Sequence, residues 1–130
     1  MKRILGIIGI AALSFSPAVS QALDPWQCTD ATSCLALCNH FCGSAFSFTG
    51  TVVIGTPGND NLQGGPGNDC IVGNNGNDTI TGNQGDDCII TGSGNDVVTG
   101  AAGNDRLVDF GGSNRLSGEA GTDVIFAGAG

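Results

Sequence analysis

The sequence predicts an all-β protein, a two-sheet parallel β-solenoid of about eight nonapeptide repeats behind a small Cys-rich N-terminal cap. Three series in the 130 residues predict it. Glycine recurs at Gly58, Gly67, Gly76, Gly85, Gly94, Gly103, Gly112, Gly121 and Gly130, always nine residues apart. Two residues after each of the first eight stands an acid or its amide, and two further on an aliphatic: Leu62, Ile71, Ile80, Ile89, Val98, Leu107, Leu116 and Ile125. A fixed period over eight units is the signature of a repeat architecture rather than of a chain with a conventional packed core.

The N-terminus reads differently. Lys2 and Arg3 open the chain, Ile4 to Phe15 form an apolar stretch, and Ser20-Gln21-Ala22 makes a small-residue, cleavage-like end, so residues 1–22 are expected to be a secretory signal peptide cut after Ala22 or Ser20. The apolar stretch is shorter than the roughly 20 residues a membrane span needs. Removal of that end leaves 12 Asp and Glu against Arg106 and Arg115 alone. So acidic a chain repels nucleic acid and anionic membranes. Export to a secreted, extracellular location also places the six cysteines where disulfides persist.

Residues 23–50 are expected to form the cap. Cys34, Cys38 and Cys42 recur every four residues, which places them on one face of a short helix, with Cys28 folding back on one of them. The plain expectation is two bridges among Cys28, Cys34, Cys38 and Cys42. A metal site of cysteines with His40 is the alternative, although the spacings match no common zinc pattern.

Residues 51–130 carry the repeat, written Gly-x-x-Gly-x-Asp-x-aliphatic-x, as in Gly64-Gly65-Pro66-Gly67-Asn68-Asp69-Cys70-Ile71-Val72. Three residues centred on the aliphatic make a short strand whose middle side chain points inward, because side chains alternate along a strand. The other six make a turn, and its glycines let carbonyl oxygens converge on a small volume. Each turn and strand is half a coil, so alternate repeats stack. One sheet is centred on Leu62, Ile80, Val98 and Leu116, the other on Ile71, Ile89, Leu107 and Ile125. The position-six residues then form two ladders, Asp60, Asp78, Asp96 and Asn114 on one edge and Asp69, Asp87, Asp105 and Asp123 on the other. Carboxylates stacked at a strand spacing of about 4.8 Å repel unless cations lie between them. Carboxylate and carbonyl oxygens are hard donors that suit Ca²⁺ with six to eight ligands better than Mg²⁺, which demands a strict octahedron.

The outer faces differ. One sheet shows Thr79, Thr81 and Thr99 among polar neighbours, a weak motif for an ice or crystal-surface binder. The other shows Val72, Ile90, Val108 and Phe126, an apolar column that needs either the N-terminal segment (Trp26, Leu35, Leu37, Phe41, Phe46, Phe48) as a cover or a protein or cell-surface partner. Cys70 and Cys88 lie two repeats apart on this face, at a separation a disulfide accepts, and are expected to pair with each other.

The repeat resembles the RTX, or hemolysin-type, calcium-binding nonapeptide over residues 55–130. The resemblance implies a parallel β-roll with each ion between successive turns of one edge. It implies as metal ligands Asp60, Asp69, Asp78, Asp87, Asp96, Asp105, Asn114 and Asp123, together with backbone carbonyls near Gly58, Gly67, Gly76, Gly85, Gly94, Gly103, Gly112 and Gly121. Asn114 departs from the pattern: it keeps a carbonyl but no charge, its repeat opens with Asp109-Phe110, and an earlier one opens with Thr91. The cysteines and N-terminal signal are also foreign to the family, whose members use an uncleaved C-terminal signal. With no Tyr, a single His and no nucleophile or metalloprotease motif, catalysis is not expected. The expected function is that of a secreted Ca²⁺-binding module that folds on export, with a structural, adhesion or surface-interaction role. The alternative is a truncated C-terminal module of an RTX enzyme or toxin.

Overall fold

A computed structural model describes residues 27–43 and 46–129. The signal-peptide expectation for residues 1–22, Trp26 and the last repeat glycine, Gly130, lie outside the described residues. Among the described residues, one helix, α1 (Ala31–Cys42), precedes nine strands: β1 (Val52–Ile54), β2 (Asn61–Gln63), β3 (Cys70–Val72), β4 (Thr79–Gln84), β5 (Cys88–Ile90), β6 (Val97–Ala102), β7 (Arg106–Val108), β8 (Arg115–Ala120) and β9 (Val124–Phe126). All pairings are parallel, in two sheets ordered β1-β3-β5-β7-β9 and β2-β4-β6-β8. The chain is therefore the β-roll that the period of nine implies. Partners in the register are 18 residues apart throughout, as Ile71↔Ile89 and Ile80↔Val98 illustrate.

Between the sheets, Leu62, Ile71, Ile80, Ile89, Val98 and Leu107 form a single file of buried side chains, closed off by Val53 and Leu116. Each fully buried aliphatic contributes about 2 kcal/mol. One such side chain per nine residues is a thin core, so the turns must supply much of what holds the coils together.

A strand that the eight-repeat reading does not contain, β1, heads the larger sheet. Val53 is in phase, nine residues before Leu62, but Thr51 stands where the other repeats have aspartate or, at 114, asparagine. Thr51 nevertheless joins the ladder: its backbone N–H and its hydroxyl both donate to Asp69 Oδ1.

Helix α1 starts at Asp30, whose side chain accepts from Ser33 N–H at 2.9 Å, a standard N-cap. It buries Cys34, Leu37, Cys38 and Cys42 against the outer face of the larger sheet. Val72, Ile90 and Val108 are at most 4 % exposed beneath it, with Phe41, Phe46, Phe48 and Phe110 packed around them. The N-terminal segment is thus the cover for this face. The alternative of a partner on Val72, Ile90 and Val108 is corrected by their burial, and of that column only Phe126 stays exposed.

The expected Cys70–Cys88 bridge does not form. The bridges are Cys28–Cys34, Cys38–Cys70 and Cys42–Cys88, so one pair, not two, closes within the cap and no cysteine is left for a metal site with His40. Cys70 and Cys88 are register partners, and in-register side chains on parallel strands project side by side rather than toward each other. The helix meets them from above. Four residues of helix advance about 6 Å and adjacent strands lie about 4.8 Å apart, so Cys38 and Cys42 fall over successive strands. The Cα separations of these two bridges, 6.1 and 6.0 Å, lie within the ordinary disulfide range. Asn74 fastens the start of the cap, accepting from Cys28 N–H and donating to the carbonyls of Cys28 and Gly55.

Candidate metal centre

Every position-six side chain falls on its expected edge, and all four in each ladder are followed directly by a strand of one sheet or the other. Within a ladder, each Oδ1 beyond that of Asp60 accepts the backbone N–H of the residue 18 positions earlier. Asp78 accepts from Asp60 at 2.9 Å and Asp96 from Asp78 at 2.8 Å; on the second edge Asp87 accepts from Asp69 at 2.8 Å, Asp105 from Asp87 at 2.8 Å and Asp123 from Asp105 at 2.9 Å. Half of each carboxylate is thus a structural rung between coils.

The other half is not. Oδ2 of Asp78, Asp87, Asp96 and Asp105 is buried without a hydrogen-bond partner. These four residues are at most 1 % exposed. Only the first aspartate of each edge satisfies its second oxygen locally, Asp60 from Thr56 N–H and Asp69 from Gly65 N–H, both at 2.7 Å. Burial pushes the Asp78 carboxyl up to about 6 and the Asp87 carboxyl to about 7. The backbone N–H bond lowers each in part, and the neighbouring ladder carboxylates raise them again. Burial raises Asp96 and Asp105 in the same way. An unpartnered buried carboxylate oxygen is costly, and it marks a place for a proton or a cation.

Carbonyl oxygens share these places. A Cβ added at Gly82 would lie 2.2 Å from Asp87 Oδ2 and 2.6 Å from the carbonyl oxygen of Gly100, in the next turn. Gly73 is placed the same way between Asp78 Oδ2 and the Thr91 carbonyl, at 2.6 and 2.3 Å. Carbonyls of the first repeat position thus stand close to the carboxylates. The carbonyls named from the sequence stack elsewhere: that of Gly76 faces the Cα of Gly94, where a Cβ would approach to 1.8 Å. Among the described residues no three His, Cys, Asp or Glu side chains converge on one point. An ion at these edges would thus draw its remaining ligands from main-chain carbonyls, and the donor set is entirely hard oxygen, as Ca²⁺ requires.

Asn114 keeps the rung and not the free oxygen. Its Oδ1 accepts from Asp96 N–H at 2.6 Å, while its Nδ2 donates to the Gly111 carbonyl at 3.2 Å. A further ladder, invisible to the glycine and aspartate count, runs through position five. Asn59 Oδ1 accepts from Asn77 N–H and Asn77 Oδ1 from Asn95 N–H, each at 2.8 Å; Asn68, Asp86 and Asn104 do the same on the other edge. The signal for it was present, since an Asn or Asp precedes most position-six acids.

No helix among the described residues is long and apolar enough to cross a membrane. Comparison with protein families gives a match to the model for the RTX calcium-binding nonapeptide repeat (4 copies), over residues 54–89, 72–107 and 99–130, together more than half of the chain. No curated protein matches the chain.

Proposed function

Because the chain belongs to the RTX calcium-binding nonapeptide repeat family, we propose that it is a secreted protein whose β-roll completes its folding on binding extracellular Ca²⁺ and then serves a structural or adhesive role. The observation that carries this reading is the pair of stacks of buried, unpartnered carboxylate oxygens at Asp78 and Asp96 on one edge and Asp87 and Asp105 on the other. Calcium neutralises like charges that otherwise repel across a strand spacing, and it ties turn to turn. In this reading the aspartate Oδ2 atoms and the first-position carbonyls, such as those of Gly82 and Gly100, hold the ions. The Oδ1 atoms keep the coils in register meanwhile. A site assembled from successive turns does not exist in the unfolded chain, so its binding free energy is folding free energy. The three disulfides support export to an oxidising compartment where calcium is plentiful. With its acid ladders engaged by metal, the protein acts as a binding module and not as an enzyme.

Isothermal calorimetry of calcium binding tests the assignment. Asp87→Ala removes an inner ladder carboxylate and should weaken binding more than Asn114→Ala, which removes no charge. The reverse ranking overturns the ladder as the ion-binding element.

A further inference from the structure

Among the eight repeats from residue 55 to residue 126, the first position is glycine at 55, 64, 73, 82, 100 and 118, and departs from glycine only at Thr91 and Asp109. From residue 60 to residue 123 the sixth position is aspartate except at Asn114. All three departures fall on one edge, in the adjacent turns 91–96 and 109–114, and the fold brings them together. Thr91 Oγ1 donates to Asp109 Oδ1 at 3.2 Å, with Thr91 fully buried and Asp109 only 6 % exposed. Asp96, in the same turn as Thr91, is 1 % exposed and its Oδ2 takes no hydrogen bond. Burial raises the Asp96 carboxyl and the charge of Asp109 raises it further, while the Asp78 N–H and the Thr91 hydroxyl beside it lower it. Thr91 is the counterpart, 18 residues on, of Gly73, where an added Cβ would meet Asp78 Oδ2 and the Thr91 carbonyl; the Thr91 side chain takes the equivalent place in its own turn.

Asn114 cannot complete this gap, because the atom it offers in place of a second oxygen is an amide N–H, which is no cation ligand. The buried carboxylates of Asp96 and Asp109 nevertheless both lie beside Thr91 here, and buried charges of one sign need a counter-charge. We infer that Asp109 replaces residue 114 as a calcium ligand, forming with Asp96 Oδ2 and the Thr91 hydroxyl oxygen a variant site between turns 91–96 and 109–114. The carboxylate has moved five residues along the repeat, so the gap keeps two acids although its sixth position is neutral. The remaining contacts of Asp109, Oδ1 with Gly111 N–H at 2.9 Å and Oδ2 with Gly128 N–H at 3.2 Å, fix the carboxylate in place and leave one lone pair free, on Oδ2.

The inference rests on the calcium reading, and native mass spectrometry of the oxidised protein at a fixed, saturating Ca²⁺ concentration separates the two. Asp109→Asn, which retains an acceptor for Gly111 N–H, should carry one ion fewer than the parent. The double variant Asp109→Asn with Asn114→Asp should recover it. Asn114→Asp alone should leave the count unchanged, because the gap is already filled; this arm decides the matter even if Asp109→Asn does not fold. An undiminished count in Asp109→Asn, or an extra ion in Asn114→Asp, overturns the role of Asp109. A parent that binds no calcium overturns the calcium reading itself.

Discussion

Replacing Gly82 by alanine adds one methyl group beside Asp87. Gly82 is not in the left-handed region, so alanine is compatible with its backbone. The loss of unfolded-chain entropy alone would then stabilise the variant by about 0.4–1 kcal/mol. Against this, the new Cβ would stand 2.2 Å from Asp87 Oδ2 and 2.6 Å from the Gly100 carbonyl oxygen. Both are fixed atoms of the candidate ion cradle, and relieving such overpacking costs about 1–3 kcal/mol. Because the displaced oxygens are the proposed ligands, the same about 1–3 kcal/mol appears as roughly 5- to 150-fold weaker calcium binding at the adjoining sites. Gly65 is the internal control: a Cβ there meets nothing within 4 Å, and its backbone is equally permissive. Calcium titration followed by circular dichroism, with urea unfolding in excess calcium, reads both effects. Gly82→Ala should shift the calcium midpoint upward and lower stability, while Gly65→Ala should be neutral or slightly stabilising. Equal behaviour of the two variants would refute the cradle at Gly82.

The pH dependence follows from the carboxyls of Asp78 and Asp87, raised from 3.8 to about 6 and about 7. A raised carboxyl pKa means the folded chain binds protons more tightly than the unfolded one. This contribution is present at low pH and lost as the pH climbs from about 4 through about 7. The calcium-free protein should therefore show more β structure by circular dichroism at about pH 4.5 than at about pH 7.5, and the calcium midpoint should rise on acidification. A calcium-free chain less folded at the lower pH would contradict this. Replacing Cys38 and Cys70 by alanine opens a loop that, with Cys42–Cys88 intact, is closed over about 22 residues, so calcium-loaded stability should fall by about 3 kcal/mol. Urea denaturation measures the loss, and an unchanged midpoint would mean that helix packing alone seats the cap.

Much of this architecture is legible in the sequence because a period of nine constrains every coil in the same way. Once Leu62 to Ile125 are read as inward-facing, the two sheets, their register and the two acid ladders follow without further information. What escapes is whatever depends on one segment meeting another. The Cys38–Cys70 and Cys42–Cys88 bridges depend on helical advance matching strand spacing, which becomes apparent only when the spacing of four in the cap is set against the spacing of 18 in the sheet. β1 escapes because Thr51 replaces the marker aspartate while doing its hydrogen bonding. The division of labour within each carboxylate, Oδ1 as rung and Oδ2 unpartnered, is a matter of side-chain geometry that no residue pattern encodes. Asp109 looks like a lapse in the repeat until the fold sets it beside Asp96.

Far-UV circular dichroism of the oxidised protein at neutral pH, titrated with calcium from a chelated start, tests coupled binding and folding most directly. The ladders of buried, unpartnered oxygens predict a β signal that appears cooperatively as calcium rises to millimolar levels and disappears on chelation. A chain equally folded in excess chelator would contradict it, and would leave the aspartates as turn formers that hold the coils together by their Oδ1 rungs alone.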